Sequence, residues 1–191
     1  MKIGLFFGSF NPIHIGHLAI ANYIVEFTDI EQIWFVVSPQ NPLKKKKGML
    51  ADYHRIALVR AAIDDDQRFR ASDVEFKLPQ PSYTIDTLAY LRDQFPDKEF
   101  ALIMGADGLT TFNKWKNYKE LISMYKRYVY PRPGISISGL PNLENCVFVD
   151  APVIEISSTF IRESIKQGKN VCHFLNYKTY NYLSEMHFYE K

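Results

Sequence analysis

Five short runs of β-branched and aromatic residues, at 3–7, 33–37, 100–104, 128–130 and 146–149, alternate with helical periodicity at 18–27, 51–63, 84–94 and 118–125. Strands that are apolar throughout, instead of alternating apolar with polar positions, are buried on both faces. Interleaved with helices, such strands specify an α/β fold: a doubly wound, mostly parallel sheet with helices on either side. The 191 residues suffice for one domain with a substantial core. Residues 1–191 therefore read as a single domain, with a C-terminal helical segment at about 158–186 packed onto it. No repeat or low-complexity linker interrupts it, although Lys44 to Lys47 form a basic run. The Pro131-Arg132-Pro133-Gly134 stretch marks a loop, and residues 135–143 read as irregular. The aromatic-rich stretch 171–189 reads as helix returning to the sheet.

Directly behind the first apolar run stands Gly8-Ser9-Phe10-Asn11-Pro12-Ile13-His14-Ile15-Gly16-His17. The order strand, glycine-bracketed turn, helix puts this string at the carboxyl end of the first strand, where open parallel sheets bind ligands. The amides at the start of a helix lack partners and sit at the positive end of its dipole, so they favour anions. His14 and His17, three apart, bring two imidazoles to the same mouth. Gly8 and Gly16 have no Cβ and would let a bulky ligand approach the main chain. A second string, Ile156-Ser157-Ser158-Thr159-Phe160-Ile161-Arg162, follows the last apolar run and opens a helix to about Lys166. Its hydroxyls can cap that helix or meet a ligand oxygen. Arg162, one turn on, either reaches the same anion with its planar fork or is a solvated surface residue. Two helix mouths from different strands, each with uncharged donors and a basic group, can clamp the two ends of a triphosphate. The leading class is a nucleotide-handling enzyme.

Composition excludes several others. The net charge of +2 does not suit a nucleic-acid binder. Cys146 and Cys172 show no paired spacing, which argues against a disulfide framework or a zinc site. No run approaches ~18 apolar residues, and the N-terminus lacks the length and cleavage site of a signal peptide; a cytoplasmic enzyme is expected. No serine or cysteine nucleophile–base pair is evident. Whether Phe174, Tyr177, Tyr180 and Tyr182 belong to the core or to a homo-oligomer interface stays open.

Together the two strings resemble the motifs of the HxGH-containing nucleotidyltransferases. Three more stretches, Pro81-Ser82-Tyr83-Thr84-Ile85-Asp86-Thr87-Leu88, Gly105-Ala106-Asp107-Gly108-Leu109-Thr110-Thr111-Phe112-Asn113-Lys114-Trp115 and Arg132-Pro133-Gly134, narrow the resemblance to the nicotinate-nucleotide adenylyltransferases. It spans about residues 3–183. Phe7 departs from it, standing where the first of two glycines is usual, as does Asn11 in place of a frequent Asp; the proline common after the last motif is absent near Val171.

The resemblance implies a Rossmann-like nucleotidyltransferase fold and adenylyl transfer from ATP to nicotinate mononucleotide, giving deamido-NAD and pyrophosphate in NAD biosynthesis. It implies catalytic roles for His14, His17 and Arg162, and ATP contacts from Gly8, Ser9, Phe10, Gly105, Arg132, Ser157, Ser158 and Thr159. The histidines would stabilise charge on the α-phosphate and leaving group, while Ser158, Thr159 and Arg162 hold the β- and γ-phosphates. It further implies acceptor contacts from Asn41, Lys44, Thr84, Asp107, Trp115 and Lys116. Trp115 would stack on the pyridine, amides near Thr84 and Lys116 would receive the carboxylate, Asp107 would bond a ribose hydroxyl, and Lys44 would meet a phosphate. Mg²⁺ is expected mainly on the ATP phosphates and water, with no protein metal ligands. The alternatives are an adenylyltransferase for nicotinamide mononucleotide or phosphopantetheine, or a non-catalytic ATP-binding regulator. The Ser82-Tyr83-Thr84 stretch and Trp115 argue against phosphopantetheine, and the completeness of both phosphate motifs argues against the regulator.

Overall fold

The computed structural model describes residues 1–39 and 48–190. Its strands are β1 (Lys2–Gly8), β2 (Gln32–Val37), β3 (Phe69–Ser72), β4 (Glu99–Gly105), β5 (Arg127–Tyr130) and β6 (Cys146–Phe148). They form one sheet in the order β3-β2-β1-β4-β5-β6, every neighbouring pair parallel. Helices α1 (Ile15–Phe27), α2 (Asp52–Ile63), α3 (Thr84–Gln94), α4 (Ala106–Leu109), α5 (Tyr118–Met124), α6 (Ser158–Lys166) and α7 (Tyr177–Glu185) connect and cover the strands.

Successive side chains of a strand point to opposite faces, and here both faces are buried. Phe6, Phe35, Val37, Ala101 and Ile103 join α1, α2, α6 and α7 in one apolar cluster. Leu5, Trp34, Val36, Leu102 and Met104 join α3, α4 and α5 in the other. The central strands pack both ways, which is why the sequence shows unbroken apolar runs there. Strand order reverses between β1 and β4, so their carboxyl ends, Gly8 and Gly105, open onto the crevice at the switch point.

Three local expectations need correction. Helix α1 starts at Ile15, three residues before the periodicity suggests, because Gly16 and His17 interrupt the apolar pattern of its first turn. Strand β3, Phe-Arg-Ala-Ser, was not read as a strand; it is a four-residue edge strand with one neighbour and no β-branched run to announce it. The C-terminal segment is not one helix. A 3-10 turn at Cys172–Phe174 precedes α7, and Val171, Leu175 and Leu183 join Ile161 of α6 in the first cluster. Among the described residues no helix is long and apolar enough to cross a membrane. Asn41, Lys44 and the rest of the lysine run lie outside the described residues.

Candidate active site

The loop from Gly8 to His14 carries the chain from β1 into α1. Phe10 turns it with a left-handed backbone (φ 44°), sparsely populated by non-glycine residues. Its ring is buried edge-on against Phe6, Phe35 and His17. A Cβ on Gly8 would stand 2.9 Å from that ring, and one on Gly16 would stand 3.1 Å from the ring of His14. A side chain at either position would meet the protein's own aromatics. Phe10 supports the site from the core and offers a ligand only its main chain.

His14 and His17 face each other with ring centroids 3.8 Å apart. The His14 main-chain N–H donates to His17 Nδ1 at 3.2 Å. This assigns the His17 proton to Nε2, because the accepting nitrogen of a neutral imidazole is the bare one. His14 is 5 % exposed and its Nδ1 has no partner among the described residues. Burial, with the Arg132 guanidinium second, pushes its pKa down to about 4. At neutral pH it is an uncharged imidazole with one polar edge left to satisfy, a costly state inside a protein unless a ligand engages that edge.

Helix α6 is tied to this loop. Ser157 caps the helix, its Oγ accepting from the Phe160 amide at 3.1 Å. Ser158 Oγ donates to the Pro12 carbonyl at 2.8 Å. Arg162 donates from Nη1 to the Asn11 carbonyl at 2.8 Å and from Nη2 to Thr159 Oγ1 at 3.2 Å. The two strings meet, 146 residues apart in sequence at the Ser158–Pro12 bond. Ser158 serves this junction and Ser157 takes the Phe160 amide, which leaves the Ser158 and Thr159 amides and the remaining guanidinium edge for an anion.

The same loop borders a cavity of about 580 Å³. Gly8, Ser9, Thr84, Gly105, Asp107, Trp115, Lys116 and Arg132, eight of the sequence-derived residues, line it. Thr84 is the first residue of α3, so its amide has no intrahelical partner. The Trp115 ring leans on Phe112 at 5.0 Å. The Lys116 ammonium is engaged by Asp86 at 2.8 Å, so what it can offer an acceptor is its main chain. Asp107 faces Arg132 (Oδ1 to Nε 3.3 Å), and a Cβ on Gly105 would stand 2.3 Å from that oxygen. The glycine makes room for the ion pair.

Sequence reasoning missed two buried groups here. Glu75, 2 % exposed, reaches the cavity floor from the 3-10 turn Val74–Lys77 and accepts from Thr87 Oγ1 at 2.8 Å. Burial pushes its carboxyl up, opposed by the hydroxyls of Ser38, Thr87 and Ser82. Arg55, fully buried, donates to the carbonyls of Ser9 (2.7 Å), Ser38 (2.9 Å) and Leu50 (3.1 Å) and pairs with Asp52. Neither lies in a recognisable string; a charged residue inside an apolar helical pattern, as in Arg55-Ile56-Ala57-Leu58, was the available signal.

Residues 5–164 match the family model Cytidylyltransferase-like. Over full length the chain is 51% identical to a protein of Flavobacterium psychrophilum named probable nicotinate-nucleotide adenylyltransferase (100% of each chain). A protein of the same name from Bacteroides fragilis is 48% identical, covering 94% of this chain and 89% of that one. The fold matches the Plasmodium falciparum nicotinic acid mononucleotide adenylyltransferase complexed with NaAD, with a TM-score of 0.81 at 18% identity over 99% and 97% of the two chains. A sheet wound about β1 and β4, an HxGH mouth stitched to a Ser-Ser-Thr-Phe-Ile-Arg helix, and full-length relatives at about half identity lead to one assignment: the chain belongs to the nicotinate-nucleotide adenylyltransferases of the cytidylyltransferase-like family.

Proposed function

We propose that the mouths of α1 and α6 hold the triphosphate of ATP while the cavity beside them takes nicotinate mononucleotide, whose phosphate attacks the α-phosphorus. The enzyme's activity is adenylyl transfer from ATP to nicotinate mononucleotide, yielding deamido-NAD and pyrophosphate. Such a transfer needs little covalent help from the protein; positioning and charge stabilisation supply most of the acceleration. His17, with its proton on Nε2, donates to the α-phosphate as charge builds there. His14, uncharged before the nucleotide arrives, turns its unpartnered edge to the phosphates. Arg162 and the first amides of α6 hold the β- and γ-phosphates, so the pyrophosphate leaves against a fixed cation. In the cavity the Thr84 and Lys116 amides receive the nicotinate carboxylate beside the Trp115 face, and Asp107 exchanges part of its pairing with Arg132 for a ribose hydroxyl.

Among the described residues no group of three or more His, Cys, Asp or Glu side chains is arranged to hold a metal. In this reading Mg²⁺ enters as part of the nucleotide substrate, on phosphate oxygens and water. We assign the reaction to the cytoplasm.

The observation that carries the reading is the bonding of Ser158 and Arg162 to the Pro12 and Asn11 carbonyls, which makes the two anion-binding mouths neighbours. The test is the identity of the leaving group with ATP and nicotinate mononucleotide. Attack at the α-phosphorus releases pyrophosphate and forms a dinucleotide of matching mass; ADP or AMP as the product would contradict it. His17→Ala is expected to lower kcat by roughly 10²–10³-fold with the fold intact, the usual loss for one preorganised donor. A folded variant within threefold of the parent would remove His17 from the mechanism.

A further inference from the structure

Asn11 is an unusually committed residue for a loop. It is 5 % exposed. Its Nδ2 donates to the Gly48 carbonyl at 2.9 Å, and its Oδ1 accepts from the Leu50 amide at 3.0 Å and from the Tyr189 hydroxyl at 2.7 Å. Its own carbonyl is the acceptor for Arg162 Nη1. Every polar group of the side chain is thus engaged, and the carbonyl that orients Arg162 belongs to the same residue. An aspartate could accept from Leu50 and Tyr189 but has no N–H for Gly48. The departure at position 11 therefore matches a partner set that only an amide satisfies.

The tyrosine comes from the residues after α7. His187 and Tyr189 both have left-handed backbones (φ 52° and 67°), which fold the segment back against the body. Phe188 packs its ring on His54 at 4.6 Å, and the Phe188 amide bonds the Leu183 carbonyl at 3.1 Å. These contacts deliver the Tyr189 hydroxyl to the loop, where the guanidinium groups of Arg55 and Arg162 both act on it.

We propose that Asn11 and Tyr189 are positioning residues for ATP: Tyr189 locks the Asn11 side chain from the C-terminal segment, and Asn11 in turn fixes the Arg162 guanidinium that meets the β- and γ-phosphates. The proposal rests on the reading of Arg162 as a phosphate holder. Without the hydroxyl, Asn11 keeps two side-chain bonds, its carbonyl loses a fixed direction, and Arg162 spends time off the phosphate. The effect falls on nucleotide binding and not on the acceptor cavity.

The experiment measures steady-state constants for Tyr189→Phe, Arg162→Lys and the double variant, each checked for folding by circular dichroism and thermal denaturation. Tyr189→Phe is expected to raise KM for ATP roughly three- to tenfold, the loss of about one net hydrogen bond, with KM for nicotinate mononucleotide within about twofold. Asn11→Ser, which removes the amide group but keeps the carbonyl, is expected to give a similar rise. Because Tyr189 acts through Arg162, the double variant should show the KM for ATP of Arg162→Lys alone. The proposal is overturned if Tyr189→Phe leaves KM for ATP within twofold while Arg162→Lys raises it, or if the two effects multiply. A KM for ATP unchanged in Arg162→Lys removes the phosphate role of that arginine, and the proposal falls with it.

Discussion

The chemistry at the residue scale is set by what burial does to one imidazole and one acid. His14 is held neutral because no counter-charge offsets its desolvation and a guanidinium stands nearby. Its folded pKa of about 4 lies below the unfolded value of about 6.5. Between these values the unfolded chain binds more protons, so its contribution to stability is full above the unfolded value and is lost as pH falls towards 4. Denaturant unfolding from pH 7 to pH 4 should show this loss, and His14→Gln should flatten it by up to ~3 kcal/mol. An equal slope in the variant would mean that His14 is not the buried neutral group. Glu75 shows the complementary logic. Burial pushes its carboxyl up, opposed by the hydroxyls around it, and it lies beneath the first turn of α3, where an anionic acceptor is expected to dock.

Between residues and fold, the critical element is α6, because its first turn does two separable jobs. Ser157 is a helix cap and Ser158 is a tether to the α1 mouth. Ser157→Ala should cost about 1 kcal/mol of stability, as loss of a cap does, and leave KM for ATP within twofold. Ser158→Ala should cost a similar amount but also raise KM for ATP severalfold, since α6 and the loop are then free to separate. Denaturant melts and steady-state kinetics on the pair distinguish the two roles; indistinguishable kinetics would deny the tether. The same element shows what the sequence discloses. Strand runs and both phosphate strings are local patterns, and the five apolar runs coincide with β1, β2, β4, β5 and β6. Of the two roles open to these serine hydroxyls, Ser157 takes the helix cap. The tether was not legible, because it joins residues 146 apart and Pro12 contributes only a carbonyl. Arg55, Glu75 and Tyr189 were hidden for the same reason: the carbonyls, the Thr87 hydroxyl and the Asn11 amide oxygen that they bond are brought near by the fold. Sequence shows a missing Cβ at Gly8 and Gly16 but not the Phe10 and His14 rings that a Cβ there would meet.

Taken as a whole, the molecule makes a single site from distant parts of its chain. The sheet winds outward from β1 and β4, its two apolar clusters make that centre rigid, and the crevice at the reversal receives β1's loop, β4's end and the tethered α6. The Gly8–His14 loop is bonded to α6 through the Pro12 and Asn11 carbonyls, and Gly8 and Ser9 of the same loop line the 580 Å³ cavity. On the proposed reading, selectivity for the acceptor comes from main-chain amides at Thr84 and Lys116, which would reward a carboxylate over a carboxamide because charge-assisted hydrogen bonds are the stronger kind.

Pyrophosphate release with ATP, measured for nicotinate and nicotinamide mononucleotides under identical conditions, tests this most directly. The nicotinate acceptor should win in kcat/KM by at least about tenfold, the worth of one charge-assisted bond. Equal or better turnover of the nicotinamide acceptor, or no pyrophosphate with either, would contradict it.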